Sequence, residues 1–349
     1  MEHADLIVIG AGQAGLAAAA LAPRHGFTPL ILEADAEPGG AWPRYYDSLT
    51  LFSPARYSAL PGQPFPGDPG RYPGRDEVVT YLRDYAARLD ADIRTQTRVA
   101  SVRSEGGALS VTAQEGASWS ARAVVSATGN YEAPDLPCLS GQETFTGRLV
   151  HAADYRSPQA FAGQRVIVVG GGNSAVQIAA ELGTVADTTL ATRRPLAWMA
   201  QHVLGRDLHW WLKHTRLDIA PLARWLEKVP VSVLDDGTYR AALRSGGVNR
   251  REMFVRLDAD SVIWSEGERE KIDAVVLATG YRTGLDYLAD SNALDSEGLP
   301  LHRNGVSTTV PGLGYVGMEF QRSFSSKTLR GVGRDAAYVL NGLRRQPRR

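Results

Sequence analysis

The chain opens on an unbroken apolar run, Asp5-Leu-Ile-Val-Ile-Gly10, of the kind that forms a parallel strand covered on both faces. It runs into Gly10-Ala-Gly12-Gln13-Ala-Gly15 and an alanine-rich stretch from Leu16 to Ala22, which predicts strand, glycine turn and helix in succession. Thr28-Pro-Leu-Ile-Leu-Glu33 supplies a second strand. Val79, Leu82, Tyr85, Ala86 and Leu89 recur at helical spacing and predict a helix over 76–89. Short alternating runs around 99–102, 109–113 and 121–126 predict a small antiparallel sheet, whose last strand ends in Ala127-Thr128-Gly129.

The opening pattern then repeats. Gln164-Arg-Val-Ile-Val-Val-Gly170 is a buried strand, Asn173 to Leu182 a helix, and Asp187-Thr-Thr-Leu-Ala-Thr192-Arg193-Arg194 the next strand, while Val275-Val-Leu-Ala-Thr279-Gly280-Tyr281 closes with a second Ala-Thr-Gly. Between these, Leu204, Leu208, Trp211 and Leu212, and then Ile219, Leu222 and Leu226, fall at helical intervals and predict two amphipathic helices broken near Arg216 and Pro221. Trp198, Trp210, Trp211 and Trp225 make this insertion tryptophan-rich, and its role stays open between packing on its own core, a substrate lid, a membrane contact and a dimer surface. Val310 to Gly317 reads as a returning strand and 327–343 as a helix with Leu329, Val332, Ala336 and Leu340 on one face.

The pattern is that of an α/β protein with two Rossmann-like dinucleotide-binding domains, the first discontinuous: 1–155 with 283–349, and 156–282 carrying the insertion at about 195–230. A length of 349 residues suits about two domains at roughly 150 residues each. Lys+Arg and Asp+Glu both number 38, so no net field gathers polyanions and nucleic acid is not an expected partner. The single cysteine, Cys138, leaves no intrachain disulfide or dithiol relay and suits a reducing compartment. With no leader or membrane-spanning segment legible, the expected location is cytoplasmic, with a basic solvated tail over 343–349.

The glycine turns carry the chemistry. Gly10 makes the tight turn, Gly12 admits a pyrophosphate to the backbone beside Gln13, and Gly15 lets helix and strand touch. Glu33 ends the second strand where a carboxylate takes ribose hydroxyls and repels a 2′-phosphate. Pro38-Gly39-Gly40-Ala41-Trp42 lets backbone approach a flat ring walled by an indole, which favours FAD over NAD, and Thr128 and Gly129 pass close to the same dinucleotide. In the second unit Gly170, Gly172, Asn173 and Ser174 are the expected diphosphate contacts, with Thr279 and Gly280 at the closing strand. There Thr192, Arg193 and Arg194 stand where Glu33 stands in the first, and guanidiniums at that position select NADPH. Gly317 and Ser326, ahead of the last helix, belong with the FAD contacts.

At Phe145-Thr-Gly147-Arg-Leu-Val-His151-Ala-Ala-Asp-Tyr155 the chain matches the fingerprint F-x-G-x-x-x-H-x-x-x-[F/Y] and resembles the class B flavin-dependent monooxygenases, which include Baeyer–Villiger enzymes, plant YUCCA proteins and N- and S-oxygenating enzymes. Residues 46–55 and 60–73 resemble the YUCCA-type flavin-side loop. The resemblance covers nearly the whole chain and is strongest to small bacterial members. It implies that NADPH reduces FAD, that oxygen adds to give a flavin C4a-hydroperoxide, and that one oxygen atom passes to a small sulfide, amine or ketone. Many members place an asparagine over the flavin where this chain has Phe52, so Phe52 and Ser53 are candidates for lining the flavin face. His151, though part of the fingerprint, is expected to order a linker rather than move protons. No acid–base dyad is needed, and no metal-ligand spacing is evident. The alternatives are an FAD-dependent NADPH oxidase or electron-transfer reductase without oxygenation, or a slow flavoprotein sensor; a homodimer is admitted but not required.

Overall fold

The computed structural model describes residues 2–105, 107–220 and 232–346. In the larger of the two main sheets β1 (Glu2–Ile9) is central, with β2 (Pro29–Leu32) parallel on one side and β6 (Ser118–Ser126) parallel on the other. β3 (Asp92–Arg94) lies outside β2, and β4 (Val99–Glu105) and β5 (Ala108–Ala113) form an antiparallel ladder on the first half of β6. Strand alternation explains the apolar run: Leu6 and Val8 point into a core shared with α1 (Gln13–Leu21) and α2 (Arg75–Ala87), while Ile7 and Ile9 point into another shared with β4, β5 and β6.

The second sheet is wholly parallel. Its spatial order is β10 (Asn249–Glu252), β9 (Asp187–Thr192), β8 (Arg165–Val169), β11 (Ala274–Leu277), β7 (Arg148–His151), with α3 (Asn173–Leu182) crossing between β8 and β9. The chain then returns to the first sheet through β12 (Leu313–Tyr315), parallel to β6, and α5 (Leu329–Arg345). Ala17 and Ala18 share a core with Val332, Ala336 and Leu340, because alanines let α1 and α5 approach closely.

The structure corrects several expectations. β7, inside the span expected for the first domain, pairs with β11 of the second sheet. Leu204 is not helical: it turns a hairpin between His202–Val203 and Arg206–Asp207 with φ of 47° and 86% exposure. The helix α4 (Leu208–Thr215) starts later because Asp207 caps it, accepting the His209 N–H at 2.7 Å, and ends at Arg216 with φ of 59°. Of the second predicted helix, Ile219 closes a short 3₁₀ turn, and Pro221, Leu222, Trp225 and Leu226 lie outside the described residues. The returning strand shrinks to three residues between Gly312 and Gly317, both at positive φ.

Candidate active site: two dinucleotide cradles

The first cradle is closed to side chains. Gly10 has φ of +100°, and a Cβ on Gly15 would stand 1.8 Å from the Gly10 carbonyl oxygen. The Pro38–Trp42 turn lies on this one: the Gly39 N–H donates to the Ala11 carbonyl at 3.1 Å, and a Cβ on Gly40 would stand 2.9 Å from the Gly12 Cα. No side chain caps α1 and no acid sits in its first turn, so the positive end of the helix is left for an anion. Gln13 ties the rim together: its Nε2 donates to the Lys327 carbonyl at 2.5 Å and its Oε1 accepts from Trp42 Nε1 at 3.0 Å. The return strand reaches the same helix at Gly317, whose Cβ would meet the Ala14 Cβ at 2.6 Å.

Glu33 is buried at the end of β2, accepting from the Ala11 N–H at 2.5 Å and the Asp35 N–H at 2.9 Å. Burial pushes its carboxyl above the usual range, against the pull of these bonds. Thr128 lies 3.5 Å from the Tyr287 hydroxyl, and Gly129 at φ of +72° borders open space. Ser326 is enclosed; its hydroxyl accepts the Arg322 and Ser323 N–H groups at 3.0 Å each and so builds the loop before α5. Ser53 is spent in the same way, 2.8 Å from the Ser58 hydroxyl, whereas Phe52 is 42% exposed.

The second cradle repeats the first. A Cβ on Gly170 would stand 2.4 Å from the Ala278 oxygen, and α3 starts at Gly172 with neither a side-chain cap nor an acid in its first turn. Ser174 is exposed there, but Asn173 Oδ1 accepts the Leu234 N–H at 2.9 Å and pins a neighbouring strand. Thr192 is buried, and its hydroxyl accepts from Arg250 Nε and Nη2 at 3.0 and 2.8 Å. Arg193 and Arg194 are exposed, and among the described residues neither they nor Arg250 form an ion pair. Thr279 turns its hydroxyl to the Asp135 carbonyl at 2.5 Å, and Gly280 offers its carbonyl to His151 Nε2 at 3.1 Å. His151 Nδ1 accepts the Ala153 N–H at 3.0 Å, so the buried ring bridges its own loop and the Gly280 carbonyl.

The family profile described as pyridine nucleotide-disulphide oxidoreductase matches residues 7–215. A CzcO-like oxidoreductase of Geobacillus kaustophilus is 30% identical over 98% of this chain and 99% of its own. A probable indole-3-pyruvate monooxygenase of Arabidopsis thaliana, YUCCA8, is 29% identical over 97% and 88%. The solved flavin-containing monooxygenase from Stenotrophomonas maltophilia superposes with a TM-score of 0.86 at 34% identity, covering 98% of each chain. The chain belongs to the pyridine nucleotide-disulphide oxidoreductase family, and within it to the class B flavin monooxygenases.

As a flavin monooxygenase, the chain needs room for a flavin and a pyridine nucleotide, and the two cradles fit them: each has an uncapped helix start and glycines where any Cβ would meet backbone. Cys138 is the single cysteine and is exposed, so the chain forms no intrachain cysteine pair. Two groups escaped the sequence reading. Arg250 sits on β10, whose Asn-Arg-Arg-Glu composition hides a strand, and the polar cluster around Asp207 lies in a stretch read only for its apolar stripe. No helix among the described residues is long and apolar enough to cross a membrane.

Proposed function

We propose that this flavin monooxygenase uses NADPH and O₂ to place one oxygen atom on a small organic sulfide, amine or ketone, in the cytoplasm. The observation that carries the reading is the opposite character of the two second-strand ends: buried Glu33 at one, and Thr192, Arg193, Arg194 and Arg250 at the other. The first suits the ribose of FAD and the second a 2′-phosphate. On this reading the FAD unit is 1–147 with 283–349, and the NADPH unit is the second sheet with its insertion. FAD, when bound, supplies the hydride acceptor and the site of oxygen activation. The chain's own residues do the rest. The start of α1 and the Gly10–Gly15 turn hold the pyrophosphate, and Gln13 and Trp42 close the rim. Arg193, Arg194 and Arg250 hold the coenzyme phosphate, while the insertion and the Phe52–Phe65 loop exclude water and shape the substrate space. A homodimer is compatible with this arrangement.

The test is anaerobic reduction with one equivalent of NADPH, then mixing with oxygen in the presence of a panel of sulfides, amines and ketones under ¹⁸O₂. The expected result is stoichiometric bleaching, an absorbing species between reduced and oxidised flavin, and one ¹⁸O atom in a product. Direct return to oxidised flavin, with one peroxide per NADPH and no labelled product, would point to an oxidase or electron transferase.

A further inference from the structure

The insertion lays one carboxylate at the centre of a partly buried polar network. Asp207 Oδ1 accepts from the His209 N–H at 2.7 Å and from His209 Nδ1 at 2.9 Å, and its Oδ2 accepts from the Tyr72 hydroxyl and Gln201 Nε2, both at 2.5 Å. Gln201 Nε2 also donates to the Phe52 carbonyl at 2.9 Å, so the network is fastened to the flavin-side loop. His209 is 2% exposed, and its ring lies 5.9 Å from Phe52 and 6.4 Å from Tyr57, centroid to centroid, at 24° to each.

A third segment closes the cluster. Arg330, in the first turn of α5, donates through Nε to Asp218 Oδ2 at 3.1 Å, and the Asp218 carbonyl accepts the Ser325 N–H and hydroxyl at 3.2 and 2.9 Å. Lys327, two residues beyond Ser325, is the residue whose carbonyl Gln13 holds at the rim of the first cradle. The insertion therefore delivers His209 between the loop carrying Phe52 and the segment leading into α5, and that segment reaches the first cradle through the Lys327 carbonyl.

Structural packing alone does not account for the arrangement. A histidine needed only to fill space against Phe52 and Tyr57 would be better replaced by an apolar ring, since a buried carboxylate with its partners carries a desolvation cost. Here Asp207 fixes the tautomer with the proton on Nδ1, which leaves Nε2 the basic nitrogen, and among the described residues Nε2 has no hydrogen-bond partner. This is the two-member arrangement of a base and the carboxylate that orients it.

We propose that Asp207 and His209 form a proton-holding pair for the oxygenation reaction, His209 Nε2 carrying the proton and Asp207 acting as its positioning residue. The inference rests on the flavin monooxygenase reading. The net reaction takes NADPH, one proton, O₂ and the substrate to NADP⁺, the oxygenated substrate and water; the hydride supplies two electrons and one hydrogen of the water, and the solvent proton supplies the other. His209 takes that proton from solvent at Nε2 and gives it to the oxygen atom that leaves as water, and so returns neutral after each turnover.

The electrostatics fit a group that must let its proton go. Burial, the largest influence, pulls His209 below its ordinary value of 6.5; Asp207 and Asp218 push it back up, and Arg330 pulls it down. Burial works to raise Asp207, but the bonds from His209, Tyr72 and Gln201 outweigh it and bring it down to about 2, so the carboxylate stays charged. Of the remaining polar groups around the pair, Tyr57 stacks on the His209 ring with the Lys213 ammonium 5.5 Å from its own, and His202 lies 3.4 Å from the Tyr72 hydroxyl.

The test uses the FAD-loaded protein and three forms: wild type, His209→Gln and Asp207→Asn. NADPH consumption with oxygen, with methyl phenyl sulfide as probe, is followed from pH 5 to 8. Wild type is expected to slow as pH rises through an inflection below 6.5. His209→Gln should lose the inflection and fall at least about tenfold at the acid end, and Asp207→Asn should move the inflection lower still. An unchanged profile in either variant overturns the proposal. Should a variant lose flavin or fold, ¹⁵N NMR of wild type decides. His209 protonated on Nδ1 and bare on Nε2 at pH 7, titrating below 6.5, supports the pair; the other tautomer, or no titration over this range, overturns it. A wild type that is reduced by NADPH isolates failure to this pair, whereas one that binds FAD and is never reduced sinks the monooxygenase reading as well.

Discussion

Trp42 Nε1 donates to Gln13 Oε1 at 3.0 Å, and the other end of the same amide holds the Lys327 carbonyl at 2.5 Å. One side chain at the first position of α1 thereby joins three stretches far apart in sequence: the opening glycine turn, the Gly-Gly-Ala-Trp turn and the segment before α5. Gln13→Leu removes both bonds and leaves the indole N–H and the carbonyl to find water, at about 1–3 kcal/mol in total. The expected outcome is a weaker FAD complex with little change in NADPH affinity, read by flavin retention on gel filtration and by coenzyme titration of the flavin-bound fraction. Equal losses in both would show that the bridge supports the whole fold rather than this rim.

Two glycines of one turn should fail differently. A Cβ on Gly15 meets the Gly10 carbonyl at 1.8 Å, so Gly15→Ala must push α1 off β1, and its cost is expected to reach at least about 3 kcal/mol with loss of soluble protein. Gly12 has φ of −76°, and a Cβ there would lie 3.5 Å from the Gly40 Cα, an ordinary contact. Gly12→Val should therefore fold while its branches fill the space kept for pyrophosphate. Circular dichroism and the flavin absorbance separate the two outcomes; a folded Gly12→Val with stoichiometric FAD would defeat the assignment of this cradle.

His151 gives the linker a pH dependence. Burial, its largest influence, holds the ring below the ordinary value of 6.5, outweighing the Gly280 carbonyl, so the folded state refuses a proton that the unfolded chain accepts. Stability from this group is complete above pH 6.5 and falls as pH drops from there through the folded value, by up to about 1.4 kcal/mol per pH unit while one proton separates the states. His151→Gln can still accept the Ala153 N–H and donate to Gly280 without titrating. It is expected to lower the slope of melting temperature against pH between 5 and 6.5 by one proton's share. His209 and His302 are displaced in the same direction, so the slope should diminish rather than vanish.

The elements that sequence disclosed best are those where one period dominates. Leu6 to Ile9 is apolar at every position because both faces of β1 are covered, and α3 runs over Asn173–Leu182 as its pattern predicts. The insertion was harder to read: Leu204 fits a helical stripe, yet a capping carboxylate three residues later sets the start of α4, and local hydrogen bonding wins over apolar spacing. The site divides along the same line. Gly10, Gly15, Gly40 and Gly170 were legible because the backbone there leaves no room for a Cβ, whereas the partners of Asn173 and Thr192 are fixed by tertiary contacts 61 and 58 positions away, and those of Ser53 and Ser326 by loop conformations that join residues 3 to 5 positions apart. Arg250 could not be found by reading, because only the parallel pairing of β10 with β9 brings it beside Thr192.

That pairing sharpens the expectation about coenzyme choice. Thr192 is buried with its hydroxyl committed to Arg250, so it orients a guanidinium rather than serving as a free phosphate ligand. Three arginines without acidic partners among the described residues, Arg193, Arg194 and Arg250, are then free to meet the 2′-phosphate that the proposed function places at this strand end. Charge-assisted hydrogen bonds contribute about 1.5–3 kcal/mol each, roughly ten- to a hundredfold in binding, and exposure to water at this strand end reduces that. Wild type should prefer NADPH to NADH in kcat/KM. Arg193→Ala with Arg194→Ala should erode the preference by weakening NADPH, and Arg250→Ala should erode it further. Thr192→Val should show part of the Arg250 loss, since it removes the anchor but leaves the charge. Steady-state measurements with both coenzymes on the four proteins, at fixed ionic strength, give the ratios. A ratio unmoved by the double substitution and by Arg250→Ala would mean that the arginines do not read the phosphate, while an NADH rate that falls in step with NADPH would mean that they hold the diphosphate common to both.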